Sequence, residues 1–168
     1  MPSSKKDRPK LDIQKEPIDI KIEVVGFIGL LVLIGLPLYF YAALPETIPK
    51  HYGPSGEPDG YGSKNYIWTL PVLGTLMYLG LSWLNKYPHT FNYAQKVTAE
   101  NARRLYTTGA RLTRTLNTLV TCGFAFITYA TIQTALGHQA GLGSSFTPLF
   151  MITIFGTTGY FLVKSFGK

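Results

Sequence analysis

Four long stretches of this chain, 24–44, 66–84, 115–136 and 146–163, contain no Asp, Glu, Lys, Arg or His. Each is close to the ~20 residues that a helix needs to cross the hydrocarbon core of a bilayer. Core helices of soluble proteins keep a polar stripe, and these stretches have none of the charged kind. Inside lipid each span must satisfy its own backbone polar groups, which selects helices, and the strands of a membrane barrel would be shorter and would alternate. The expected fold is therefore all-α, a bundle of four transmembrane helices. Residues 1–21 read as a disordered polar tail and 22–168 as one membrane domain. That domain has a cap at 45–65 between helices 1 and 2, a basic segment at 85–114, and a cytoplasmic extension of helix 3.

Charge sets the expected orientation. The formal net charge is +7. Of the 16 Lys and Arg, all but Lys50 and Lys64 lie before the first stretch, between the second and third, or after the fourth. Positive loops stay in the cytoplasm, so both termini are expected there, in a multi-pass protein of a bacterial inner membrane with the cap outside. Topology thus accounts for the basic balance, and nucleic acid is not needed to explain it. The first apolar stretch is too long, and too far behind a charged tail, for a cleaved signal peptide. The lone Cys122 rules out a disulfide within the chain and reads as a small buried apolar residue.

Local features refine this frame. Gly26, Gly29 and Gly35 in the first stretch allow a neighbouring helix to approach closely, and Pro37 is expected to kink its outer third. Ile18, Ile20 and Ile22 alternate with Asp19, Lys21 and Glu23, a weak sign of an interfacial extension. The third helix is expected to start at an N-cap, Thr98, with Glu100 in its first turn. Continuous to Leu136 it would be about 57 Å long, more than a bilayer requires, with Gly109 as the expected hinge. Arg103, Arg104, Arg111 and Arg114 then serve as topology anchors touching anionic lipid, or as a stripe that docks a partner. Asn117, Thr121 and Thr128 share a face of the third stretch, and Gly156 and Gly159 of the fourth form the expected surface against it.

The segment from Leu44 to Lys64 is the most informative. It holds four prolines and four glycines, punctuation too dense for a floppy connector. It reads as a compact cap with Leu44, Ile48, Tyr52 and Tyr61 dipping toward the membrane and a turn at Asp59-Gly60. Pro45, Pro49 and Gly56 are its candidate structuring residues, and His51, Asp59 and Lys64 its candidate polar cluster. A carboxylate beside His51 would favour the imidazolium and make the loop sensitive to pH, while Asp59 bracing Lys64 is the alternative pairing. One His with Glu46, Glu57 and Asp59 is a poor transition-metal set, so no metal is expected. No cofactor motif is legible either.

The run Leu44-Pro45-x-x-Ile48-Pro49-x-His51, followed by Gly56, Asp59 and Gly62-Ser63-Lys64, resembles a bacterial membrane family of unknown function. That family also forms the N-terminal module of SdpI-type immunity proteins against a secreted killing factor. Asn92-Tyr93 and Glu100-Asn101-Ala102 look like its short stand-alone members, and the stand-alone form, without the second half of SdpI-type proteins, is the expectation here. The resemblance implies a bacterial inner-membrane protein and supplies no mechanism.

No nucleophile–base set, phosphate-cradling loop or paired His on a helix is readable, so an enzyme is not expected. Ion-coupled transporters place ionisable groups within their spans, and these spans have none. Two readings follow. One is a binding or signalling module whose cap meets a protein or peptide partner. The other is a structural subunit whose glycine and threonine faces dock into a larger complex, a homo-oligomer included.

Overall fold

The computed structural model describes residues 8–167. It is mostly helical: α1 Pro17–Phe40, α2 Thr69–Leu84, α3 Ala102–Ala135 and α4 Phe146–Phe166. With a 3₁₀ turn added before α2, all four are long and apolar enough to cross a membrane. The exception to an all-α chain is the cap, where β1 Thr47–Tyr52 and β2 Pro58–Ser63 pair antiparallel. Thr47, Ile48 and Tyr52 favour extended backbone, and a six-residue strand needs only one buried face to settle its register.

The third helix is the hub. It packs along α1, α2 and α4, whereas α1 and α2 meet only slightly. Small residues set the α1–α3 distance. A methyl group added to Gly26 would stand 2.6 Å from Thr118 Oγ1, and one added to Gly29 would stand 2.8 Å from Cys122 Sγ. This is how membrane helices gain contact without a hydrophobic driving force between them. Thr118 also donates to the Ile22 carbonyl across that seam at 3.0 Å. The expectation that the early glycines admit a neighbouring helix holds for these two; Gly35 meets nothing within 4 Å.

Several boundaries move. Residue 17, inside the stretch read as a disordered tail, already begins α1: proline suits the first helical position, and the Asp19 carboxylate accepts the Glu16 N–H at 2.9 Å. Residues 1–7 of the tail lie outside the described residues. The rest of it is docked, with Arg8 donating to the carbonyls of His89 (3.1 Å) and Phe91 (2.7 Å) and Leu11 and Ile13 packed on Val97, Ala102, Leu105 and Tyr106. The third helix starts at Ala102, not after Thr98. The Asn101 side chain instead accepts the Thr98 N–H at 2.8 Å, in a turn that precedes the helix. Nor does the helix break at Gly109, where the absent side chain makes room for the rings of Tyr93 and Phe91. Gly156 and Gly159 do not meet the threonine face of α3, since a Cβ added at either would find no other element within 4 Å. That face is met partly by α2, with Asn117 Nδ2 donating to the Tyr78 carbonyl and Ser82 Oγ, both at 3.2 Å.

The two ends of the bundle are distinct. At one end lie the hairpin and the loop that joins α3 to α4, held together by a Leu142 N–H to Gly56 carbonyl bond of 2.8 Å. At the other, basic end lie the start of α1, the α2–α3 connection and the end of α4, where Gln95 donates to the Ser165 carbonyl.

Candidate functional site

The hairpin is built on buried apolar contacts. Ile48 is fully buried and packs with Leu44, Ile67 and Ile132, so its strand is pressed against the C-terminal end of α3 and the turn before α2. Tyr52 donates to Thr131 Oγ1 at 3.0 Å, and burial pushes its phenol above the ordinary value. Pro49 is buried within β1, and Pro45 is exposed just before it. Tyr61, expected to dip toward the membrane, is exposed because its position in the pleat faces away. The turn also falls elsewhere than expected. Asp59 and Gly60 lie within β2, and the chain reverses at Gly53–Gly56, where the Gly56 N–H bonds the Gly53 carbonyl at 2.9 Å and Gly56 takes φ +79°. Gly56 is doubly constrained, since a side chain there would also collide with the backbone of Gly143.

The register is irregular on both strands. Pro49 pairs with Tyr61, His51 with Gly60 and Tyr52 with Pro58, leaving Lys50 and Asp59 without partners. Such bulges re-aim side chains. Here His51 Nδ1 and Asp59 Oδ1 meet at 2.5 Å, with the two side chains 72% and 51% exposed. Lys64 does not join them. Its ammonium pairs with Glu46 at 2.9 Å and lies over the Tyr41 ring, and its N–H bonds the Glu46 carbonyl. The Lys64–Glu46 pair therefore ties the two ends of the hairpin, whereas His51–Asp59 ties only the strands to each other. Among the described residues no three His, Cys, Asp or Glu converge as a metal set would.

Residues 28–75 match a family described as a domain of unknown function, DUF1648. The match begins in α1, takes in the whole hairpin and ends in α2, so it contains every residue from Leu44 to Lys64 on which the sequence resemblance rests. A membrane family of unknown function is thus what this part of the chain is similar to. A stretch of 76 residues is also 33% identical to an uncharacterized protein of Archaeoglobus fulgidus, covering 40% of this chain and 42% of that relative. Less than half of the relative is therefore aligned. No solved structure matches.

The arginines form a second polar centre at the basic end that sequence reasoning missed. Asp19 is buried in α1, and Arg111 grips it with two hydrogen bonds, Nε to Oδ1 at 2.8 Å and Nη2 to Oδ2 at 3.0 Å. Arg111 also pairs with Glu16 at 2.9 Å. Arg114 donates from Nε to Glu23 at 2.9 Å and sets Nη1 3.6 Å from Asp19. Both arginines thus turn to carboxylates at the start of α1, where sequence placed them against anionic lipid or a docked partner. Arg103 stays exposed and Arg104 is half-buried. A signal was available: Glu16, Asp19 and Glu23 recur at helical spacing, as do Arg111 and Arg114, but the alternating isoleucines drew the reading to an interfacial extension instead.

Proposed function

We propose that this multi-pass membrane protein is a binding module of a bacterial-type inner membrane, with both termini cytoplasmic, and that its outward hairpin recognises a protein or peptide. The observation that carries this reading is the His51–Asp59 pair. Leu44, Ile48, Tyr52 and Gly56 already dock the hairpin on the bundle, so a hydrogen-bonded pair left this exposed is not needed to hold it there. A rigid hairpin that presents an imidazole and a carboxylate on bulged, partly unpaired strands is suited to polar contacts with an incoming chain. In this reading the protein has no catalytic role and no cofactor. The excess of Lys and Arg at the basic end supports the orientation, with exposed Arg103 meeting lipid there. Immunity of the SdpI type is the narrower form of the same reading, and its support is the sequence resemblance.

The test is crosslinking in the native membrane followed by mild-detergent purification and mass spectrometry, with wild type beside His51→Ala/Asp59→Ala. A partner lost from the variant at equal protein level supports recognition by the hairpin. A partner kept by both points instead to a structural subunit. That second reading has its own support in Gly156 and Gly159, which leave an uncovered notch on α4. Under it, bulky replacements at those glycines abolish assembly and the hairpin variants leave it intact.

A further inference from the structure

A polar cavity of about 490 Å³ opens at the basic end between α1, α2 and α3, where α1 and α2 barely touch. Its size is that of a small-molecule site. Its walls are rich in hydrogen-bond donors that have no acceptor. Among the described residues, the Lys86 ammonium makes no ion pair, and Arg114 uses Nε on Glu23 but has no hydrogen-bond partner for Nη2. Ser82 Oγ accepts from Asn117, which leaves its own hydrogen free to donate. The Tyr78 hydroxyl likewise has no acceptor among these residues. Of the acceptors on the wall, Glu23 is engaged by Arg114 and Lys15 and Asp12 by Gln14, while the buried Asn85 Oδ1 has no donor among the described residues.

The Arg114 side chain is only 8% exposed, and its partners on α1 fix it in place, so its free edge is pre-organised. A partly open cavity with unmet cationic donors, whose Glu23 carboxylate is already paired with Arg114 and Lys15, fits an acceptor-rich anion. Depth bears on the source of that anion. Arg114 precedes the apolar stretch at 115–136, Glu23 precedes that at 24–44, and Lys86 follows that at 66–84. The cavity therefore sits where the apolar stretches end, at the level of lipid headgroups.

We infer that this cavity binds an oxyanion, a phosphate group carried by a lipid headgroup or free in solution, with Lys86 and Arg114 as its principal contacts. The site lies at the opposite end of the bundle from the hairpin and does not depend on what the hairpin binds.

The full-length protein in detergent, mixed with equal dioleoylphosphatidic acid and dioleoylphosphatidylcholine, can be read by native mass spectrometry. Wild type is expected to retain one phosphatidic acid per chain in preference to phosphatidylcholine. Lys86→Ala, at an exposed position, is expected to weaken that retention roughly tenfold or more, the loss of one hydrogen-bonded charge, with an unchanged unfolding midpoint. Lys96→Ala, basic but outside the cavity, should retain the lipid as wild type does. Competition by inorganic phosphate would identify the free ion as sufficient, and its failure to compete would identify the lipid headgroup. The inference is overturned if Lys86→Ala behaves as wild type, if Lys96→Ala loses as much, or if neither phosphatidic acid nor inorganic phosphate binds.

Discussion

Two side-chain pairs in this protein, His51–Asp59 and Asp19–Arg111, differ in physical weight. His51–Asp59 is exposed, and exposed pairs contribute between nothing and about 1 kcal/mol. Asp19–Arg111 is bidentate, with Asp19 at 2% exposure, and removing one partner strands the other charge in a poorly hydrated place. Asp19→Ala is accordingly expected to destabilise by about 3 kcal/mol or more, whereas His51→Ala should shift stability by less than about 1 kcal/mol. Thermal unfolding of both variants in one detergent checks this, and equal losses would refute the ranking. Tyr52→Phe isolates a third case, the hydrogen bond to Thr131, with an expected cost of about 1 kcal/mol read in the same assay.

At the scale of elements, glycine decides what can approach what. Gly56 combines φ +79° with a backbone neighbour where a side chain would sit, so Gly56→Ala should cost about 1–3 kcal/mol and loosen the hairpin from the α3–α4 loop. Faster amide exchange at Leu142, whose N–H bonds the Gly56 carbonyl, is the specific readout. Gly29→Leu and Gly156→Leu make a further contrast. The first must push α1 off Cys122 and is expected to unfold the protein at lower temperature. The second meets open space within the chain, so it should leave the midpoint unchanged, and any loss it causes would appear only in assembly with another chain.

At the scale of the molecule, the orientation is testable at one residue. Ser55 lies exposed at the hairpin turn, and Cys122 is the only native cysteine. In a Cys122→Ala background, Ser55→Cys should react with a membrane-impermeant maleimide in intact cells. Protection until the cells are lysed would invert the topology. The apolar periods made four candidate spans legible without coordinates, because bilayer thickness acts on composition alone, and the charge bias set the orientation that this labelling tests. Leu44 to Lys64 likewise announced a structured segment through its prolines and glycines, and His51 and Asp59 were readable as a pair. That the segment is a hairpin was hidden, since its turn at Gly53–Gly56 competed with an equally good local signal at Asp59-Gly60. Whether Lys64 chose Asp59 or Glu46 depended on two bulges that no pairwise spacing predicts. The buried clasp of Asp19 with Arg111 and the donor-rich cavity beside it were likewise out of reach. They arise from residues some 90 positions apart that meet only once α1 lies against α3. Sequence, then, determined the spans through their local chemistry, and tertiary structure alone decided which charges were paired, because pairing across helices is a property of packing.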